Sequence, residues 1–193
     1  EFQRNALPGK PPGGRPGRSC KNPGRMKPAP GSRVVVPRGI SLALPGREKP
    51  YVMAHRGNRA ACPENTLASF RRALADGADV LETDLYLSAD GVFVCIHDAT
   101  VDRTTDGRGP VAHMTLTELR SLSASYGRPE FQAERVPTLA ELVAILPVDV
   151  ALALELKTDR FLEAGVAQRL VDELTAAGVR NRTVVLSFSL ARV

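Results

Sequence analysis

The 193-residue chain contains no tryptophan, only three cysteines, and no run approaching the roughly 18 consecutive apolar residues that a membrane-spanning helix needs. Cys20, Cys62 and Cys95 are odd in number and lack a CxxC spacing, which argues against a disulfide scaffold or a cysteine zinc cluster. Cys62 and Cys95 are therefore read as packing residues in a reducing compartment. The apolar patches nearest the start, Val34 to Val36 and Ile40 to Leu44, are broken by Pro37, Arg38 and Gly39. No signal-peptide core is recognisable there, so a cytoplasmic location is expected. The chain begins with Glu1 rather than Met; a processed chain or a fragment of a longer reading frame is the expectation, with Met26 a candidate internal start.

Charge is unevenly spread. Residues 1–50 hold 11 Lys or Arg and 2 Asp or Glu, together with 10 of the 15 prolines and 8 of the 16 glycines. Such a segment cannot bury enough apolar surface to offset the entropy of ordering it, so it is expected to be a disordered basic leader. Clustered basic residues attract phosphate, but no aromatic residue lies between Phe2 and Tyr51 to stack on a base. No nucleic-acid partner is expected. Residues 51–193 hold 15 basic and 19 acidic residues, and their length suits one ordinary domain.

Within that stretch the hydrophobic pattern alternates between strand and helix. Tyr51 to Ala54 reads as a buried strand ending at His55, and Asn65-Thr66 can cap a helix carrying Leu67, Phe70 and Leu74. Residues 80–87 and 92–97 flank Asp90-Gly91, a strong hairpin signal. With those two as the central turn residues, His97 falls directly opposite Asp84, about 5 Å away between Cβ atoms. Thr115 to Glu118 and Thr138 to Glu141 are capping boxes that open two further helices. Residues 150–157 form a strand, 159–177 a helix with Leu162, Val166, Leu170 and Leu174 on one face and Gly178 at its end, and 183–188 a last buried strand. This order is that of an α/β protein with a parallel sheet. Four βα units are half of a (β/α)8 barrel, which typically needs about 250 residues.

The ionisable residues gather at the strand ends. His55 ends the first strand, Glu82 and Asp84 lie two apart on the second, and Glu155 and Lys157 lie two apart on the third. A period of two puts each pair on one face, and barrel sites form at C-terminal strand ends. Three carboxylates suit Mg2+ or Ca2+ better than Zn2+. Two imidazoles, His55 and His97, suit a general acid and a general base. Arg56 and Lys157 supply positive charge for a phosphate oxyanion, and Lys157 is the only lysine after residue 50. These charges would repel or desolvate one another unless an ion is bound among them. His113, in a polar loop, is read as outside the site.

Seven motifs follow in order: His55-Arg56-Gly57, Pro63-Glu64-Asn65-Thr66, Gly77 to Asp84, Asp90-Gly91 to His97-Asp98, Asp102-Arg103-Thr104-Thr105, Pro137-Thr138-Leu139 and Glu155-Leu156-Lys157. The succession resembles the glycerophosphodiester phosphodiesterase family from Tyr51 to the end of the chain. Ser187-Phe188 is also similar to the family's pattern. The resemblance implies that Glu82, Asp84 and Glu155 bind a divalent metal, Mg2+ or Ca2+. It also implies that His55 and His97 are the acid/base pair and that Arg56 and Lys157 hold the phosphodiester. It implies a TIM-type (β/α)8 barrel with a small insertion at about residues 85–135, here truncated after about four βα units, with weak or no activity expected of the truncated chain. The implied reaction turns a glycerophosphodiester into glycerol 3-phosphate and an alcohol. Two alternatives stay open on the sequence. One is a phospholipase D-like phosphodiesterase acting on lysophospholipids or sphingolipids. The other is a non-catalytic binding protein acting through its basic leader.

Overall fold

The computed structural model of the chain describes residues 50–192; the expected disordered leader lies outside the described residues. Five strands and four α-helices follow in the order β1 (Met53–His55), α1 (Leu67–Ala75), β2 (Val80–Leu87), β3 (Phe93–Cys95), α2 (Leu116–Ser121), α3 (Leu139–Ala144), β4 (Ala151–Leu156), α4 (Ala164–Ala176) and β5 (Thr183–Leu186). The sheet order is β1-β2-β4-β5, all parallel, with β3 paired antiparallel to β2. Each parallel step is bridged by helical chain, the βαβ arrangement of an α/β barrel wall.

The helices cover one face of the central strands. Leu81 and Leu85 of β2 and Leu152, Leu154 and Leu156 of β4 belong to one buried cluster with Phe70, Leu139, Leu142, Leu170 and Leu174 from the helices. The opposite face of the same strands carries Glu82, Asp84, Ala153 and Glu155. A second, smaller cluster is drawn wholly from residues 94–136, around Val94, Val101, Val111, Leu119 and Val136. It gives the segment between β2 and α3 a core of its own.

The capping boxes at Thr115 and Thr138 form as expected, each threonine accepting from the backbone of a glutamate that reaches back to it. The sequence-based map differs from the structure in four places. The segment from 159 begins as a 3-10 turn, Asp159–Leu162, and α4 starts only at Ala164. In that turn Phe161 is buried against Phe93 and Leu162 is exposed. β5 is not a buried strand but an edge among the described residues, with Val184 and Val185 exposed. β1 is likewise an edge, and Tyr51, Val52 and Met53 are exposed.

The fourth difference is the hairpin register. Leu85 pairs with Cys95 and Leu87 with Phe93, and the Ile96 N–H donates to the Asp84 carbonyl. His97 is therefore one place beyond the position opposite Asp84. The cause is the turn: Ser88 N–H donates to the Val92 carbonyl, which leaves three loop residues, Ala89, Asp90 and Gly91, with Gly91 at φ 79. A three-residue hairpin closed by a left-handed glycine competes with the two-residue turn for the same Asp-Gly signal. Here Ser88 decides it, donating from its hydroxyl to Asp90 and accepting from the Val92 N–H.

Candidate active site

Register brings the charged residues together before any side chain is considered. His55 pairs with Glu82, Glu82 with Ala153, and Asp84 with Glu155 across adjacent strands. The small Ala153 leaves room beside Glu82. On the edge of β2 away from β4, β1 takes residues 80–82 and β3 takes residues 85–87. β3 runs antiparallel, so the chain leaving Cys95 returns toward the end of β1. That path delivers His97 to the site despite the shifted register.

The side chains complete one connected network. Glu82, Asp84 and Glu155 each offer an oxygen within 4.8 Å of the others. His55 Nε2 stands 3.8 Å from Glu82, and the Arg56 N–H donates to Glu82 Oε2 at 2.9 Å. Arg56 Nε lies 3.3 Å from Asp84 Oδ2 as an ion pair without a hydrogen bond, and Asp84 Oδ2 accepts from the Asn65 side-chain amide at 3.0 Å. Lys157 Nζ donates to Glu155 at 2.9 Å, stands 3.6 Å from Asp84 Oδ1 and reaches His97 Nε2 at 3.3 Å. His97 Nδ1 faces Asp98 Oδ1 at 2.6 Å. An ionised carboxylate only accepts, so the hydrogen sits on Nδ1 and the Nε2 lone pair faces Lys157. The inner face below these groups opens into a cavity of about 440 Å3 lined by Met53, His55, Glu82, Glu155, Leu186, Ser187 and Phe188.

Electrostatics match this crowding. Burial, and then the neighbouring Asp84 charge, push the Glu82 carboxyl up to about 7. Partial burial and the positive charges of Arg56 and Arg59 hold the His55 imidazole below its usual range. Hydrogen bonding from Arg103, with help from His97, brings Asp98 down to about 2. Asp84 Oδ1 is buried with no hydrogen-bond partner. A buried carboxylate oxygen with an ion pair but no hydrogen bond, on a residue grouped with two further carboxylates, belongs to the kind of donor set that a hard divalent cation completes. Glu82, Asp84 and Glu155 are thus fitted to hold such an ion.

All seven residues singled out in the sequence fall in this network, including both histidines. His113 is exposed on a 3-10 turn, and Cys62 and Cys95 are free and buried, Cys95 with its thiol pushed up to about 12 by burial. Four network members were not assigned from sequence: Glu64, Asn65, Asp98 and Arg103. Glu64 accepts from Arg56 at 3.1 Å and Arg103 at 2.7 Å, and Arg103 also donates to Asp98 at 2.6 Å. Each lies in a loop, where strand period carries no information. Their presence inside the Pro63 to Thr66, His97-Asp98 and Asp102 to Thr105 motifs is the signal that marks them.

A parallel sheet backed by helices, with its charged groups collected at C-terminal strand ends, defines an α/β-barrel protein with a polar site at the barrel mouth. Residues 55–191 match the Glycerophosphoryl diester phosphodiesterase family, and the chain belongs to that family. It is 40% identical over 143 residues to a glycerophosphodiester phosphodiesterase of Caldanaerobacter subterraneus subsp. tengcongensis, covering 73% of this chain and 59% of the relative. Glycerophosphodiester phosphodiesterase 1 of Bos taurus is 35% identical over 155 residues, covering 78% and 46% respectively. Among solved structures, a phosphodiesterase of Oleispira antarctica in complex with the product sn-glycerol-3-phosphate superposes with a TM-score of 0.68 at 37% identity, over 74% of this chain and 59% of that one. A glycerophosphodiester phosphodiesterase of Agrobacterium tumefaciens gives 0.67 at 35% identity, over 74% and 59%. The chain thus spans about half the length of the curated relatives it matches.

Proposed function

We propose that this protein hydrolyses glycerophosphodiesters to sn-glycerol 3-phosphate and an alcohol, with His55 and His97 moving the two protons. The observation that carries the reading is Lys157. Its ammonium, the only one after residue 50, stands among Asp84, Glu155 and His97 at once. That point charge and the Arg56 guanidinium are placed to offset the charge of a phosphodiester at the mouth of the sheet. His97, with its Nδ1 hydrogen committed to Asp98, presents Nε2 to accept or return a single proton. His55, half exposed on the far side of Glu82, presents the second imidazole. One removes a proton from the attacking water as the new P–O bond forms, and the other protonates the departing alkoxide as the P–O bond to the alcohol breaks, so atoms and protons balance. Glu82, Asp84 and Glu155 would hold Mg2+ or Ca2+, which when bound supplies further stabilisation of charge on the phosphoryl oxygens. The Oleispira relative, with sn-glycerol-3-phosphate bound, supports the glycerol 3-phosphate half of the substrate.

The test is release of glycerol 3-phosphate from glycerophosphocholine, with calorimetric binding of glycerol 3-phosphate as a readout independent of turnover. His55→Ala and His97→Ala are each expected to lower the rate by roughly 10²- to 10⁴-fold. Turnover that survives both substitutions, or that persists unchanged in a chelator, sinks the reading.

A further inference from the structure

Arg103 lies outside the metal-ligand and histidine set, yet it closes a ring of charged contacts around it. Its Nε donates to Asp98 Oδ2 at 2.6 Å and its Nη2 to Glu64 Oε1 at 2.7 Å. Asp98 holds His97 Nδ1 at 2.6 Å; Glu64 holds Arg56 Nη1 at 3.1 Å. Arg56 continues to Asp84 at 3.3 Å, and Lys157 links Asp84 at 3.6 Å back to His97 at 3.3 Å. The ring therefore passes through a proposed acid/base residue, both proposed phosphate-binding cations and a proposed metal ligand. Arg103 is the one member that joins the loop after β3 to the loop after β1.

We infer that Arg103 is a positioning residue that sets His97 and Arg56 in a single relative geometry through Asp98 and Glu64. Two features set this apart from an ordinary surface ion pair, which contributes little. First, the two carboxylates accept from two different nitrogens of one planar fork, Nε and Nη2, whose fixed separation and directions a single ammonium nitrogen does not share. Second, the face of the guanidinium lies 5.6 Å from the centroid of the Tyr126 ring. Tyr126 itself adopts a left-handed φ of 54, with its N–H bonded to the Thr104 carbonyl at 3.1 Å. A non-glycine residue persists there only where its surroundings over-determine it, and such strain concentrates at functional constellations. Burial works against ionised Glu64, yet Arg103 and Arg56 together hold it below the usual carboxylate range. Both of its anchors are thereby kept as acceptors.

The kinetic consequence rests on the phosphodiesterase reading; the structural consequence does not, and the experiment separates them. Nitrogen-15 resonances of the imidazoles are recorded for the magnesium-loaded chain, wild type and Arg103→Lys, Arg103→Gln and Arg103→Ala. His97 is expected to hold a single Nδ1–H tautomer in the wild type and a mixture in all three variants, with His55 unchanged. Guanidinium ion at millimolar concentration is expected to restore the single tautomer in Arg103→Ala. In turnover, kcat is expected to fall roughly 10- to 100-fold, as for other groups that orient a reacting residue, with KM altered less than about threefold. An unaltered His97 tautomer in the variants overturns the inference, and so does a loss that guanidinium leaves unrescued while the melting temperature falls in step. Should Arg103→Ala not fold, Glu64→Gln, which cuts one anchor and leaves Arg103 in place, is read in the same way on the Arg56 side-chain Nε resonance. A wild-type chain without turnover removes the phosphodiesterase reading and leaves the tautomer result to decide this one.

Discussion

Asn65 shows how much of the site depends on a residue that touches no reacting atom. It sits at φ 53, is 4% exposed, donates its amide to Asp84 Oδ2 at 3.0 Å and accepts from the Thr83 hydroxyl at 2.8 Å. Those two bonds fix which Asp84 oxygen remains free toward Glu82 and Glu155. Asn65→Ala strands two buried polar groups and puts a Cβ-bearing residue without a local hydrogen-bonding side chain at positive φ. The expected result is a loss of metal affinity of roughly 10- to 100-fold, the usual scale for groups that orient a ligand, measured by calorimetric titration with Mg2+ and Ca2+. Asn65→Gly relieves the backbone strain but does not restore the two side-chain hydrogen bonds, so it is expected to recover stability without recovering affinity. The sequence offers Asn65 or Thr66 as the cap of the first helix, and Thr66 is the residue that caps α1. Asn65 serves the site instead, a role that strand and helix periods cannot express.

At the scale of elements, legibility follows the source of the register. In the parallel sheet, Glu82, Asp84, Glu155 and Lys157 could be assigned to one face because a strand's period is fixed at two and the opposite face is leucine-rich. In the hairpin the same reasoning slips by one residue, because Asp90-Gly91 is compatible with loops of two and of three residues, and Ser88 selects the longer. α4 starts later than its apolar pattern because Glu163 takes an extended backbone, with φ −70 and ψ 120, that ends the 3-10 turn. Two predictions belong here. At Gly57, φ is 73 and an added Cβ would stand 2.6 Å from the Ser69 backbone carbon, a contact that no rotamer change relieves. Gly57→Ala is expected to lower the denaturant midpoint markedly and to displace Arg56 from Glu82. Gly91→Ala meets only the Arg169 guanidinium, at 3.1 Å, and is expected to cost about 1 kcal/mol through its φ of 79. Chemical denaturation of both variants ranks them. A smaller loss at Gly57 than at Gly91 would contradict the packing argument.

For the molecule as a whole, the proposed metal site would couple stability, pH and metal occupancy through Glu82. Its carboxyl is raised from the ordinary 4.5 to about 7 by burial and by Asp84. Below 4.5 both the folded and unfolded forms carry the proton, so Glu82 contributes no pH dependence. Between 4.5 and 7 the unfolded chain releases that proton while the folded chain retains it, so stability falls as pH rises. The total loss from this group is about 3 kcal/mol, reached near pH 7 and constant above it. A divalent cation reverses the sign, because it binds the ionised carboxylate and must displace the proton. Below about pH 7 metal binding is therefore expected to release close to one proton at Glu82, and apparent affinity to rise nearly tenfold per pH unit before levelling. Titrations at pH 6 and pH 8, in buffers of different ionisation enthalpy, measure the released proton directly. Glu82→Gln provides the control: the metal-free variant is expected to lose the stability slope between pH 4.5 and 7 and to bind metal weakly at every pH. A wild-type melting temperature that responds to magnesium equally at pH 5 and pH 8 would place the coupling elsewhere in the network.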